Sequence, residues 1–234
     1  MVPYRSVAPE GPWAPVRSAW HESGRVVVYG AADAWASTGP EGLPAADLAR
    51  HAALHTPAAR RTHLASRLLA RRTLGVLLGV PWREVRITRT SLGAPVLPDL
   101  PGIRIGISHT RQLVTVGVSR CGPLGVDAER ACRAVRPELA GRICTPAELA
   151  AVAALEEHER SENLLRLWTL KEAYVKALGT GLRVPVRGFG FAGFDGPHPD
   201  GPGGWSFTTR AVRIGPDRAP YLVSAAAAVS AGAP

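Results

Sequence analysis

Among 28 basic residues the sequence holds only two lysines, Lys171 and Lys176, and both lie in the stretch RLWTLKEAYVKALGTGL at 166–182. A lysine ammonium is a compact point charge whose pKa can be shifted enough for it to give or take a proton, which a guanidinium cannot readily do. The two lysines are therefore candidates for proton transfer or for contact with a single phosphate oxygen. Glu172 and Lys176 are four apart and project from one side of a helix, with Lys171 about a third of a turn away. An ordinary surface ion pair has the same spacing. Asp127 and Glu129 form a second group. Two apart on a predicted strand, their carboxylates leave the same face, opposite Val126. Such a pair is either a solvated strand edge or part of a cation site. Magnesium suits an oxygen-only site with few protein ligands, because it keeps waters and takes further positions from substrate phosphates. Glu172 can supply a third carboxylate. Ser108 and His109 end the strand IRIGIS, where a hydroxyl and an imidazole can both donate to a phosphate, although a lone histidine is more often structural.

These groups need elements to hold them. Leu164, Leu167, Trp168, Tyr174, Ala177 and Leu178 recur at helical spacing, and Gly179 follows where a left-handed cap belongs. A second helical pattern covers 47–79, most firmly from Pro57, with Thr56 as N-cap. Leu64, Leu68, Leu69, Leu77 and Leu78 face a core, and Arg60, Arg61, Arg67, Arg71 and Arg72 line the other side. Residues 146–157 predict a helix opened by a capping box of Thr145 and Glu148. Strands are predicted at 26–31, 85–90, 103–110, 113–119, 122–130, 205–214 and 221–227, with 103–119 forming a hairpin around 110–112. Residues 1–24 carry no clear period and are expected to be irregular or an edge strand. Each half then holds one long helix and about three short strands. The expected fold is α+β in two similar lobes, at 1–120 and 121–234, joined near 120–124.

Composition narrows the partners. At 234 residues, 46% hydrophobic and 20% charged, the chain can bury a core in one large domain or two small ones. Net charge is +9, distributed as +7 over residues 1–117 and +2 over 118–234. The first half faces an anion: nucleic acid, a polyphosphate ligand or an acidic protein. Cys121, Cys132 and Cys144 match neither a CxxC pair nor zinc-ligand spacing, which predicts reduced thiols in a cytoplasmic protein. The prolines, Glu10 and Trp13 near the N-terminus interrupt any signal-like apolar run, and no stretch approaches the roughly 18 apolar residues of a membrane helix. Neither GxxxxGK[ST] nor GxGxxG is present, so a phosphate ligand would not be held as in a P-loop or dinucleotide fold.

In order, ISH, GVDAE (125–129) and WTLKEAYVK (168–176) resemble the 4′-phosphopantetheinyl transferase superfamily, in particular its two-lobed surfactin-type (Sfp-like) branch. RRTHLASRLL (60–69), GAPVLP (93–98) and RICTPAEL (142–149) add to the resemblance, which covers about 44–227. It implies a magnesium-dependent enzyme that moves phosphopantetheine from coenzyme A to a serine of an apo acyl or peptidyl carrier protein, releasing adenosine 3′,5′-bisphosphate. The carboxylates matched by Asp127, Glu129 and Glu172 would hold the metal, and Glu172 is also matched to a proposed base. Lys176 would serve catalysis and, with Lys171, Arg61, Thr62, Ser108 and His109, coenzyme A. The protein is expected to act as a cytoplasmic monomer, with no nucleic acid or membrane among its partners. Ala94 stands in the turn where the family often has lysine, and Ala46 and Ala49 where it has basic residues. Arg50, His51, Arg89 or Arg104 are the candidates to supply that charge. The competing class, a non-catalytic basic module that binds nucleic acid or a carrier protein, accounts for the charge. It leaves both lysines in one helix and the acids at Asp127 and Glu129 unexplained.

Overall fold

The computed structural model describes residues 1–133, 135, 137–181, 184–191, 193, 202–215 and 218–229. Leu182, the end of the lysine-bearing stretch, lies outside them.

Two helices of 22 residues each, α4 (Pro57–Leu78) and α7 (Glu157–Leu178), carry the two halves. α4 opens as its sequence requires, with Pro57 in the first turn and the Thr56 hydroxyl accepting from Ala59 N at 3.1 Å. Both helices close on a glycine in the left-handed region, Gly79 at φ 70 and Gly179 at φ 67. α4 packs on a sheet of β1 (Tyr4–Ser6), β2 (Arg25–Ala31), β5 (Arg104–His109) and β6 (Leu113–Ser119), ordered β1-β2-β6-β5. Only the β1–β2 pair is parallel. α7 packs on the antiparallel sheet β7-β9-β8, formed by β7 (Leu124–Arg130), β8 (Trp205–Ile214) and β9 (Ala219–Ala228). The architecture is α+β, as expected.

Several elements depart from the sequence reading. The arginine side of α4 is only partly open to solvent: Arg60 is exposed, but Arg67 and Arg71 are buried and converge on Asp47 of α3 (Ala45–Ala52), at 3.3 and 2.9 Å. Arg71 also donates to Val85 O. A charge pair formed 20 or more residues apart in sequence overrides the amphipathic pattern. Residues 1–24 are more ordered than expected, since α1 (Ala14–Ser23) follows β1, with Pro15 in its first turn and Gly24 as left-handed cap. The short helices α2 (Ala32–Ala36) and α5 (Pro137–Ile143) were not predicted. The predicted strand at 85–90 shrinks to β3 (Thr88–Arg89), paired with β4 (Pro95–Val96). The helix expected at 146–157 is α6 (Pro146–Ala153), and past its end Arg160, in the first turn of α7, donates to the carbonyls of Ala153 and Leu155.

Candidate active site

The site is built where β5, β7 and α7 meet. Gly125 makes this approach possible. A Cβ there would lie 2.1 Å from Ala173 O and 2.4 Å from Ala177 N, so only a bare backbone lets α7 lie this close to β7. On the other side of β7, the glycine pair Gly106 and Gly117 faces Leu124 and Val126. The glycine of GVDAE is thus a packing requirement that brings Asp127 and the second half of α7 together.

Asp127 is 6% exposed. Its Oδ1 accepts from Ser108 Oγ at 2.8 Å and pairs with the Lys176 ammonium, while Lys176 Nζ also donates to Ser108 Oγ at 3.1 Å. The i,i+4 partner expected for Lys176, Glu172, is not the one it takes. Glu172 Oε1 is buried with no hydrogen-bond partner among the described residues. Burial raises the Glu172 pKa, and the charges of Asp127 and then Glu129 raise it further against the opposing pull of Lys176. Glu129 is raised too, first by burial and then by Asp127, although Arg133 binds its Oε1 and a Trp168 hydrogen bond also opposes the rise. The three predicted carboxylates therefore share one electrostatic environment. A buried, unpartnered carboxylate oxygen beside two further carboxylates is an oxygen donor set that fits a hard divalent cation. Among the described residues, no three Asp, Glu, His or Cys side chains are arranged to hold a metal as they stand, and Lys176 is the cation that Asp127 holds.

A cavity of about 940 Å³ opens beside this cluster. Lys176 and His109 stand on its wall, together with Ile103, Ile105, Ile107 and Leu124, which give it an apolar flank. Arg50, Arg67 and Arg89 supply its basic lining, and Arg104 also borders it. Burial lowers the pKa of both Arg67 and Arg89, and each is lowered further by neighbouring arginines with Asp47 as the opposing anion. This excess of positive charge in a partly buried wall is suited to a multiply charged anion. Burial and Lys176 lower the His109 pKa, leaving a neutral imidazole that can donate one hydrogen bond.

Not every expected residue reaches this cavity. Lys171 is not on the cavity wall: it is 0% exposed, and its ammonium donates to Glu148 Oε2 at 2.7 Å and to the carbonyls of Ile143, Val186 and Phe189 at 2.6–2.9 Å. A compact ammonium suits such a cage of acceptors, which is a structural reason for lysine at this position. Arg61 turns away from the cavity and pairs with Asp33 of α2 at 3.0 Å. Its neighbour Thr62 lines the cavity, with its hydroxyl proton donated to Ala58 O at 2.7 Å. Ser108 is not on the cavity wall. His51 is likewise absent from the lining, whereas Arg50, Arg89 and Arg104 reach it. Sequence reading missed as cavity residues Arg67, placed only with the arginines on the side of α4 away from its leucines, and His63, which lines the cavity and contacts Asp47 O at 3.2 Å. The only local signal for His63 was its helical spacing with Ala59 and Ser66, which also line the wall.

Residues 123–211 match the model of the 4′-phosphopantetheinyl transferase superfamily, so the motif resemblance is borne out over this stretch. Across 148 residues the chain is 32% identical to a protein of Nostoc sp. named 4′-phosphopantetheinyl transferase HetI, covering 60% of this chain and 61% of the relative. It is 28% identical over 135 residues to the Bacillus subtilis protein named 4′-phosphopantetheinyl transferase Sfp, covering 58% and 59%. A Mus musculus protein named L-aminoadipate-semialdehyde dehydrogenase-phosphopantetheinyl transferase is 30% identical over 136 residues, covering 53% and 44%. The chain spans about three fifths of the length of the two bacterial relatives. Among the described residues, no helix is long and apolar enough to cross a membrane.

Proposed function

We propose that this protein transfers 4′-phosphopantetheine from coenzyme A to a serine of an apo acyl or peptidyl carrier protein, with magnesium, releasing adenosine 3′,5′-bisphosphate. The observation that carries this reading is one cavity whose wall joins an arginine cluster to the Lys176 end of the carboxylate group, the latter within the residues that match the superfamily. A volume of about 940 Å³ suits a ligand as large as coenzyme A. Residues 1–120 would contribute most of that pocket and 121–234 the reacting groups.

In this scheme Arg50, Arg67, Arg89 and His109 bind phosphate oxygens and fix the pyrophosphate, while Ile103, Ile105 and Ile107 lie along the less polar arm. Arg89 is well placed to make up the charge that Ala94 lacks, since it pairs across β3–β4 with Pro95. The carrier serine oxygen attacks the phosphorus that bears the pantetheine arm. A new P–O bond forms, and the P–O bond to the adenosine bisphosphate breaks. Glu172, with its raised proton affinity, accepts the serine proton. Lys176 stabilises the negative charge on the departing oxygen, mainly in the transition state. Asp127, Glu129 and Glu172 would hold magnesium, which when bound supplies charge neutralisation at the pyrophosphate. The basic first half suits an acidic carrier.

The test is mass spectrometry of several apo carrier proteins incubated with the protein, coenzyme A and magnesium. The expected result is addition of phosphopantetheine to the carrier serine, abolished by chelation of the metal. Unmodified carriers together with an unchanged melting temperature in coenzyme A would refute the reading.

A further inference from the structure

We infer that Arg133 is a built-in counter-ion of the carboxylate group, which holds down its affinity for a divalent metal without taking part in the transfer. The inference rests on the reading above, from which it takes magnesium as the ligand of Asp127, Glu129 and Glu172. β7 ends at Arg130 and the chain turns back at once, with the Arg133 amide donating to Arg130 O at 2.9 Å. This turn lays the Arg133 side chain over Glu129, two residues beyond Asp127 on the same face of the strand. There its Nη1 donates to Glu129 Oε1.

The carboxylates thus carry two cations of the chain's own, and the two differ. Lys176 donates to both Asp127 Oδ1 and Ser108 Oγ and stands on the cavity wall. Arg133 takes Glu129 as its only side-chain acceptor among the described residues, and it stands outside the cavity. Its side chain is 54% exposed, against 35% for Lys176, so it is the cation that gives way more readily. Three ionised carboxylates with these two cations leave one net negative charge for a metal; without Arg133 they leave two. The sign of the effect does not depend on which Glu129 oxygen a metal takes. At Oε1 the metal must displace the guanidinium, and at Oε2 it lies beside it, so like charges meet in either case. Solvent sets the size. A pair this exposed is screened, and the guanidinium therefore weakens metal binding only about two- to fivefold. The carboxylates alone then hold the metal loosely, and the added negative charge of the coenzyme A pyrophosphate is what retains it.

The test titrates manganese, which takes the same oxygen-rich octahedral sites as magnesium, into the protein without coenzyme A and reads the free ion by EPR. Arg133→Ala and Arg133→Gln should both bind manganese about two- to fivefold more tightly than the wild type. Arg133→Lys, which keeps the charge, should stay near the wild-type affinity. Raising the ionic strength should draw the four proteins together, because salt screens an exposed charge. An unchanged or weaker affinity in Arg133→Ala overturns the inference, and so does a lysine variant that behaves like the glutamine one. Both of these outcomes leave the transfer reading intact. A wild type that binds manganese as expected but modifies no carrier refutes the transfer reading alone. If none of the four proteins binds manganese, the metal assignment and the inference fall together.

Discussion

Gly125→Ala is the sharpest steric test of how the site is assembled. The added methyl meets Ala173 O at 2.1 Å, Ala177 N at 2.4 Å and Ala177 Cα at 3.0 Å, all of them backbone atoms of α7. Ordinary contact begins at 3.4 Å, so the helix must retreat from β7 by more than about 1 Å, in a core that is close-packed. Overpacking of this kind costs about 1–3 kcal/mol, or roughly 3–10 °C in Tm for a chain of this length. The functional loss should be larger. Lys176 and Glu172 ride on the displaced turn, and a misplacement of about 1 Å at reacting groups costs about a hundredfold in rate. The assay is a thermal melt beside carrier modification at saturating coenzyme A. Gly106→Ala serves as the internal control, because its methyl would meet Val126 N at 3.3 Å and needs only a slight adjustment. Wild-type Tm and turnover in Gly125→Ala, or equal losses in both variants, would refute the reasoning.

Glu172→Gln should stabilise the metal-free protein at neutral pH by about 0.5 kcal/mol, discounted for solvent reach, as seen in a Tm rise of 1–2 °C, roughly. A carboxylate whose folded pKa lies above its ordinary 4.5 binds more protons folded than unfolded, so its contribution weakens stability as pH rises above 4.5. The variant's gain should accordingly shrink when melts are repeated toward pH 4.5. Lys171→Met strands the buried Glu148 carboxylate and should cost about 3–5 kcal/mol in denaturant unfolding, and Glu148→Gln combined with it should recover part of the loss. Unaltered stability in Lys171→Met would contradict its burial. Arg89→Ala should raise the KM for coenzyme A about tenfold with kcat nearly unchanged, because the lost contact is made equally in ground and transition states. A loss confined to kcat would remove Arg89 from the phosphate group.

The parts of the fold legible in the sequence were those fixed by neighbours along the chain. Thr56 and Pro57, the Thr145–Glu148 capping box, the β5–β6 hairpin and the glycine cap of α7 all stand where local chemistry placed them. α1 could have been read the same way from Pro15 and Gly24, but neighbouring prolines and the absence of a clear period hid it. Long-range contacts were not legible. Spacing alone paired Lys176 with Glu172, and only the approach of β7 gives it Asp127 instead. Arg67 and Arg71 were placed only on the side of α4 away from its leucines, and their burial against Asp47 was not visible. The scarcity of lysine correctly singled out two special positions, yet one of them is special for its enclosure and the other for its place on the cavity.

Glu148 completes the capping box of α6, through Thr145 N at 2.7 Å, while also accepting Lys171 and the Phe191 amide at 2.9 Å. One carboxylate thus closes a helix terminus, neutralises a charge on α7 and anchors the chain that follows the 3₁₀ turn Val186–Gly188. These segments cannot open one at a time, because freeing any of them strands a buried ion in the others. Amide protons in the first turn of α6, at Phe191 and in the middle of α7 should exchange with solvent as a single cooperative unit, with one common opening free energy. The frame that carries Glu172 and Lys176 would then be lost all at once rather than by fraying.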